Sequence, residues 1–194
     1  IDQGQFVWLD KFTIRNLELL NSPNSNAKTL IDVIDRTTSP MGSRLMRRWT
    51  SLPLKNKEQI NSRYDVVDYF VKNNNLISDF QDMIRQIGDL ERLISKVSLL
   101  RINPRELMQV AKSLDHIETI KKMCSESEYQ PLLSYAEQLT VCDSIRQRIK
   151  KVLNPEAPAL LSKGNIINEG VDEELDALRR LSRSGKDYLM DIQK

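Results

Sequence analysis

An all-α fold with small β decorations is the class this sequence predicts, and three observations predict it. Only 6 glycines and 7 prolines interrupt 194 residues. Apolar residues recur at three- and four-residue spacing over most of the chain, the period of one helix face. Helix start signals stand where those runs begin: Ser39-Pro40 reads as an N-cap followed by a first-turn proline, and Asn103-Pro104-Arg105-Glu106 as a capping box around another.

The elements follow in order. Phe6-Val7-Trp8-Leu9 and Asn16-Leu17-Glu18-Leu19-Leu20 are short apolar runs that read as strands or strand-like edges, and residues 21–26 form a polar loop. Thr29 to Asp35 forms a short helix with Leu30, Val33 and Ile34 on one face. Ser39-Pro40 starts a helix to about Thr50 whose stripe of Met41, Leu45, Trp49 and Leu52 is expected to pack in the core, and Pro53 stops it. A helix over 57–72 carries Ile60, Tyr64, Val67 and Val71 on its expected core stripe. Asn73-Asn74-Asn75 breaks it, and Leu76, Ile77, Phe80, Met83, Ile84 and Ile87 mark the next helix, which Gly88 ends. Asp89 opens a helix with Leu90, Leu93, Ile94 and Val97; the helix after Asn103 carries Leu107, Val110, Leu114, Ile117 and Ile120. A helical region over 131–153 breaks near Thr140, and Asn154-Pro155-Glu156-Ala157-Pro158 is a proline-bounded connection. Ile166-Ile167-Asn168-Glu169-Gly170 reads as a short extended piece ending in a turn. The last helix, 172–194, places Asp172, Glu173, Glu174 and Asp176 in its first turns, where negative charge suits the helix dipole.

Composition excludes several classes of function. With 40% hydrophobic and 29% charged residues the chain is neither disordered nor collagen-like nor a disulfide miniprotein. The charge sum, 29 − 27 = +2, lacks the strong basic surplus of many nucleic-acid-binding domains, so phosphate contacts would have to come from a local cluster or from outside this chain. Cys124 and Cys142 allow at most one bridge and no thiolate metal cage, and they read as buried or idle thiols in a reducing compartment. His116 is the only histidine, which disfavours a histidine-based triad or metal site. The most apolar stretch, 66–71, is too short to span a bilayer, and no signal peptide opens the chain, so a cytoplasmic protein without membrane contact is expected. A start at Ile1 and an end inside a helix suggest a piece of something longer.

Candidate chemistry is sparse. Gly185-Lys186 resembles the end of a phosphate-binding loop, but Asp187 replaces the required Ser or Thr and Arg180 stands where the first glycine belongs. The acidic groups lie on polar helix starts and loops, where nothing would drive two pKa values apart. Two basic clusters remain as possible contacts to DNA phosphate or to other domains: Arg44, Arg47 and Arg48 on one helix, and Arg179, Arg183 and Lys186 on the last. A surface helix with solvated arginines is the plainer reading of both.

Longer strings say more than periodicity. Leu9-Asp10, Thr13 and Asn16-Leu17-Glu18, then the run from Asp35 through Ser39-Pro40-Met41-Gly42-Ser43-Arg44-Leu45 to Trp49 and Pro53-Leu54, followed by Ile60 and Arg63, resemble blocks of the MutS mismatch-repair family. Gly88-Asp89-Leu90-Glu91-Arg92-Leu93, Pro104-Arg105-Glu106-Leu107, residues 166–170 and Glu174-Leu175-Asp176 are similar to further blocks in the same order. Ser39 departs slightly, since threonine is commoner there. The resemblance implies the helical core, or lever, domain of a dimeric ATPase that encircles DNA, recognises mispairs and signals to a MutL-type repair protein. It implies residues 1–165 as a helical core with a short N-terminal β segment, and 166–194 as an extended piece and the start of the lever helix leading to a clamp. The mismatch-reading Phe-x-Glu and the Walker motifs of that family are absent from this sequence. ATP and Mg are therefore expected in the ATPase part of the parent protein, with no catalytic, nucleotide or metal residue and no cofactor in this piece. Without the resemblance, a free-standing helical scaffold for protein partners, with no DNA role, stands as the alternative.

Overall fold

The computed structural model describes residues 4–24 and 26–192, apart from the side chains at 183 and 186–192. Among them run ten α-helices: α1 (Lys11–Asn16), α2 (Leu30–Ile34), α3 (Pro40–Ser51), α4 (Lys57–Lys72), α5 (Asn74–Gln86), α6 (Leu90–Ser98), α7 (Pro104–Ser125), α8 (Gln130–Gln138), α9 (Asp143–Val152) and α10 (Glu173–Ile192). Strand pairing among the described residues is confined to two isolated antiparallel bridges, Phe6 with Leu54 and Leu153 with Ile167. The all-α expectation with small β decorations is met. The chain divides into two compact units, residues 1–94 with 113–141 and residues 95–112 with 142–194, so the boundaries fall inside α6 and α7 and just before α9.

In the first unit the N-terminal runs behave differently from expectation. Phe6 makes its single bridge, flanked by Val7 N–H donating to the Pro53 carbonyl at 2.8 Å and Lys55 N–H to the Gln5 carbonyl at 3.0 Å. Residues 16–20 form no strand. Asp10 Oδ1 accepts the Thr13 amide at 2.7 Å, and this cap starts α1. The chain then turns through Glu18 at φ 47°, and the Glu18 and Leu19 carbonyls accept the amides of Leu30 and Ile31, each at 3.0 Å. Those two bonds seat α2, which has its own capping box of Thr29 and Asp32.

α3 starts as its cap signal predicts, with Ser39 Oγ accepting the Gly42 amide at 3.1 Å and Pro40 in the first turn. Gly42 sits close against the cap: a Cβ there would lie 3.2 Å from both Ser39 Oγ and Thr37 Cβ, tighter than most Cβ contacts. The expected core stripe is corrected, because Leu45 is 46% and Trp49 41% exposed and no residue of α3 is fully buried. The indole is covered instead by the Arg63 guanidinium, 3.7 Å from its ring centroid, a cation–π contact between α3 and α4.

α4 corrects a second stripe. Tyr64, Val67 and Val71 are exposed, and the turn-adjacent pair Tyr69 and Phe70 packs in their place. Phe70 meets Phe80 of α5 edge-on at 5.4 Å, while Tyr69 stacks on Tyr129 at 4.2 Å. These rings close over Cys124, Leu132 and Ala136, a buried cluster of this unit. Burial raises the Cys124 thiol pKa above its ordinary value, as suits an idle thiol.

The second unit buries Met108 and Ala111 of α7 against Ile149 of α9 and Leu153 just after it, with Leu107, Val152, Ile166 and Ile167 packed around them. The box before α7 is complete: Asn103 Oδ1 accepts the Glu106 amide at 2.9 Å, and Glu106 accepts the Asn103 amide at 3.3 Å while pairing with Lys96. The break near Thr140 falls where expected, between α8 and α9.

Burial separates two substitutions. Leu132→Ala, at 3% exposure, should lower stability by about 2–5 kcal/mol. Trp49→Ala, at 41% exposure, should lose less, about 1–2 kcal/mol from its cation–π contact and partial burial. Urea denaturation of the two variants checks the contrast.

Candidate functional site

The side chains that earned attention as sequence strings form joints between helices and turns, and one of them joins α9, residues 166–170 and α10 in the second unit. α9 ends in carbonyls with no partner within the helix. Asn168, in the extended piece, donates its side-chain amide to the carbonyls of Lys150, Lys151 and Leu153 at 3.2, 2.9 and 2.9 Å. Its own amide donates to the Val152 carbonyl at 2.9 Å, and the Asn154 amide to the Ile166 carbonyl at 2.8 Å. Asn168 therefore caps α9 from outside it and docks residues 166–168 along the end of that helix.

The same piece grips α10. Gly170 turns the chain at φ 81°, a conformation open to glycine at little cost, and its amide donates to Asp176 Oδ2 at 2.6 Å. Asp172 Oδ1 accepts the Leu175 amide at 2.9 Å as the N-terminal cap of α10. Arg179 donates to Asp176 Oδ1 at 3.1 Å and to the Ile167 carbonyl at 2.8 Å. The Arg179 and Asp176 side chains are 21% and 17% exposed, so the pair is shielded more than an ordinary surface ion pair. Four contacts thus fix how α10 starts from the extended piece.

In the first unit the run from Asp35 to Arg44 forms a second joint. Asp35 accepts the Ser43 hydroxyl at 2.6 Å, the Thr37 hydroxyl at 2.6 Å and the Thr37 amide at 3.0 Å. Those bonds, the Ser43 hydroxyl foremost, hold its carboxyl at about 2. Arg44 reaches to the start of α6, donating Nη1 and Nη2 to Asp89 at 3.0 and 2.6 Å and Nε to Glu91 at 2.6 Å. The two strings resembling separate family blocks therefore touch each other.

The candidate basic residues fare unequally. Arg44 and Arg179 are engaged within their own units, and Arg47 and Arg48 are exposed on α3. Arg47 lies close enough to Asp32 and Asp35 to help lower both carboxyls, after their hydrogen bonds. The Arg183 and Lys186 side chains lie outside the described residues. Sequence reasoning missed Asn168 and the partners of Arg44 and Arg179, and the signal available was their place inside the quoted strings. Among the described residues no group of three His, Cys, Asp or Glu could hold a metal ion, and no helix is long and apolar enough to cross a membrane.

Fold and joints together define an all-helical structural domain whose signature residues hold helix ends in place. The family model of MutS domain III matches residues 12–194, and the chain belongs to that family, the helical core and lever domain of MutS proteins. It is 48% identical over all 194 residues to the DNA mismatch repair protein MutS of Bacteroides thetaiotaomicron, of which it covers 22%. It is 49% identical to that of Flavobacterium psychrophilum, again over the whole chain and 22% of the relative, and 44% identical to that of Cytophaga hutchinsonii, of which it covers 23%. The chain thus spans about a fifth of the length of these relatives, and the resemblance read from the strings is borne out.

Two outcomes follow from the joints. Asn168→Ala strips the cap from α9 and should cost about 1–2 kcal/mol in urea denaturation, whereas Gln147→Ala, on the exposed face of the same helix, should change stability by less than about 0.5 kcal/mol. Asp35 has a folded-state pKa of about 2 against an ordinary 3.8, so its contribution is complete above pH 4 and fades as pH falls towards 2. The stability gap between wild type and Asp35→Asn should narrow over that window; a gap constant from pH 6 to 2 would contradict the assignment.

Proposed function

We propose that this chain is the core and lever segment of a mismatch-repair protein, and that its work is mechanical. In this reading α10 carries conformational state between a part of the whole protein that holds mispaired double-stranded DNA and a part that binds ATP and Mg and hydrolyses the nucleotide. The segment itself turns over nothing and holds no cofactor. The whole protein acts as a cytoplasmic homodimer that passes its signal to a MutL-type partner. Residues 1–165 serve as the body and 166–194 as the root of the lever.

One observation carries the reading. The Asp176 carboxylate takes the Gly170 amide and the Arg179 guanidinium together, while Arg179 also holds the Ile167 carbonyl. A helix rooted this way transmits force at its far end into the extended piece, and through Asn168 into α9. Coupling between distant sites needs such an element, one whose arrangement both sites can bias. Arg47 and Arg48, exposed on α3, remain candidates to meet DNA phosphate or another domain, with Arg183 and Lys186 as further candidates.

The test interrupts the lever at its root, between Asp176 and Arg179. Leu178 is 58% exposed, so replacing its side chain alone removes little packing. Proline there removes a helical hydrogen bond and kinks the helix at a cost of about 3 kcal/mol. In the full-length protein, Leu178→Pro should abolish the stimulation of ATP turnover by mismatched DNA, while Leu178→Ala retains it. Unchanged stimulation in the proline variant would refute the lever.

A further inference from the structure

We propose that Arg44, Asp89 and Glu91 form a salt-operated latch between α3 and the start of α6, which loosens the first unit locally while its aromatic cluster stays packed. The proposal is independent of the role assigned to α10.

α3 has little apolar grip. No residue in it is fully buried, and Leu45 and Trp49 lie at the surface. It is held at its start by Ser43 on Asp35 and at its end by the main-chain bonds around Pro53. Beyond the first turn, Arg63 of α4 lies over the Trp49 ring, and the hydrogen-bonded link is the Arg44 fork, which spans 45 residues of sequence to Asp89 and 47 to Glu91. A guanidinium offering three N–H donors to two carboxylates has the planar, bidentate geometry that makes such pairs strong and oriented.

The seat of the latch is rigid. Asp89 Oδ1 also accepts the Arg92 amide at 3.2 Å, which makes it the cap of α6. The preceding residue, Gly88, donates its amide to the Ser113 hydroxyl at 3.2 Å, and Ser113 is fully buried in α7. The Arg44 pairing holds Asp89 below its ordinary pKa, so the carboxylate stays charged across the neutral range. With the turn at 88–89 fixed from two sides, α3 is the element that moves when the fork opens.

Exposure makes the latch responsive. The Arg44 and Glu91 side chains are 46% and 65% exposed, and Asp89 is 15% exposed. Dissolved ions reach the outer half of the network, and at 1 M salt the screening length of about 3 Å is no longer than the contacts themselves. The aromatic cluster of Tyr69, Phe70, Phe80 and Tyr129 has no such sensitivity, because its attraction is apolar.

Hydrogen exchange on the intact protein tests this without requiring any variant to fold. Raising NaCl from 0.05 to 1 M should speed exchange in α3 and residues 88–92 by about two- to fivefold, leaving α5 and α8 unchanged. Arg44→Met should reproduce the loosening at low salt and remove its salt dependence. Asp89→Asn in the Arg44→Met background should add less than it does alone, and Arg44→Lys, which lacks the fork, should fall between wild type and methionine. Salt-independent protection in wild type, or strictly additive substitutions, would overturn the latch. So would lost DNA affinity in Arg44→Met with local protection intact, which would make Arg44 a phosphate ligand.

Discussion

Every helix end leaves main-chain donors or acceptors without a partner inside the helix, and satisfying them is the constraint around which this structure is organised. Asp10, Ser39, Asn56, Asn103 and Asp172 accept amides at helix starts, and Asn168 donates to the carbonyls that end α9. Other groups at helix starts do two tasks. Asp89 caps α6 and receives Arg44, Glu106 completes a box and pairs with Lys96, and Asp176 holds both a turn and an arginine. A polar group that must be satisfied locally becomes, at almost no added cost in ordering, a bond to a distant element.

That economy matters because the apolar clusters are modest. Met108, Ala111, Ile149 and Leu153 form the buried centre of one unit, and Cys124, Leu132 and Ala136 that of a cluster in the other. Apolar contact holds helices together without choosing their direction, since the hydrophobic effect is non-directional. Direction comes from hydrogen bonds with narrow angular tolerance. The Arg179 contacts to Asp176 and Ile167, and the Arg44 contacts to Asp89 and Glu91, therefore define geometry more than they add to stability.

Local signals were legible in the amino-acid order. The cap and proline at Ser39-Pro40, the box at Asn103 and Glu106 and the break near Thr140 are encoded within a few residues and stand where read. Which apolar face finds a partner was legible on α7, where Leu107, Val110 and Leu114 pack, but not on α4. Periodicity marks Tyr64, Val67 and Val71 as a stripe, yet the rings that pack are Tyr69 and Phe70, because Phe80 and Tyr129 come to meet them from other helices. The strand expected at 16–20 failed for a similar reason: Asp10 starts a helix just before it, and the remaining residues turn the chain towards α2. The arginines were visible as clusters, but the carboxylates that engage Arg44 lie 45 and 47 residues away and the carbonyl held by Arg179 lies 12 away. No spacing rule connects them.

The discontinuous make-up of the first unit has a consequence for biosynthesis. Tyr69, Phe70 and Phe80 lie on one side of the inserted stretch 95–112, and Cys124, Leu132 and Ala136 on the other. A ribosome working at about 5–20 residues per second needs roughly 3–10 s to travel from Phe80 to Leu132. Throughout that interval the nascent chain presents three aromatic rings whose covering helices have not yet been made. The order of synthesis thus exposes the stickiest part of the cluster first, and the gap between the two stretches sets how long a holding chaperone has to find it.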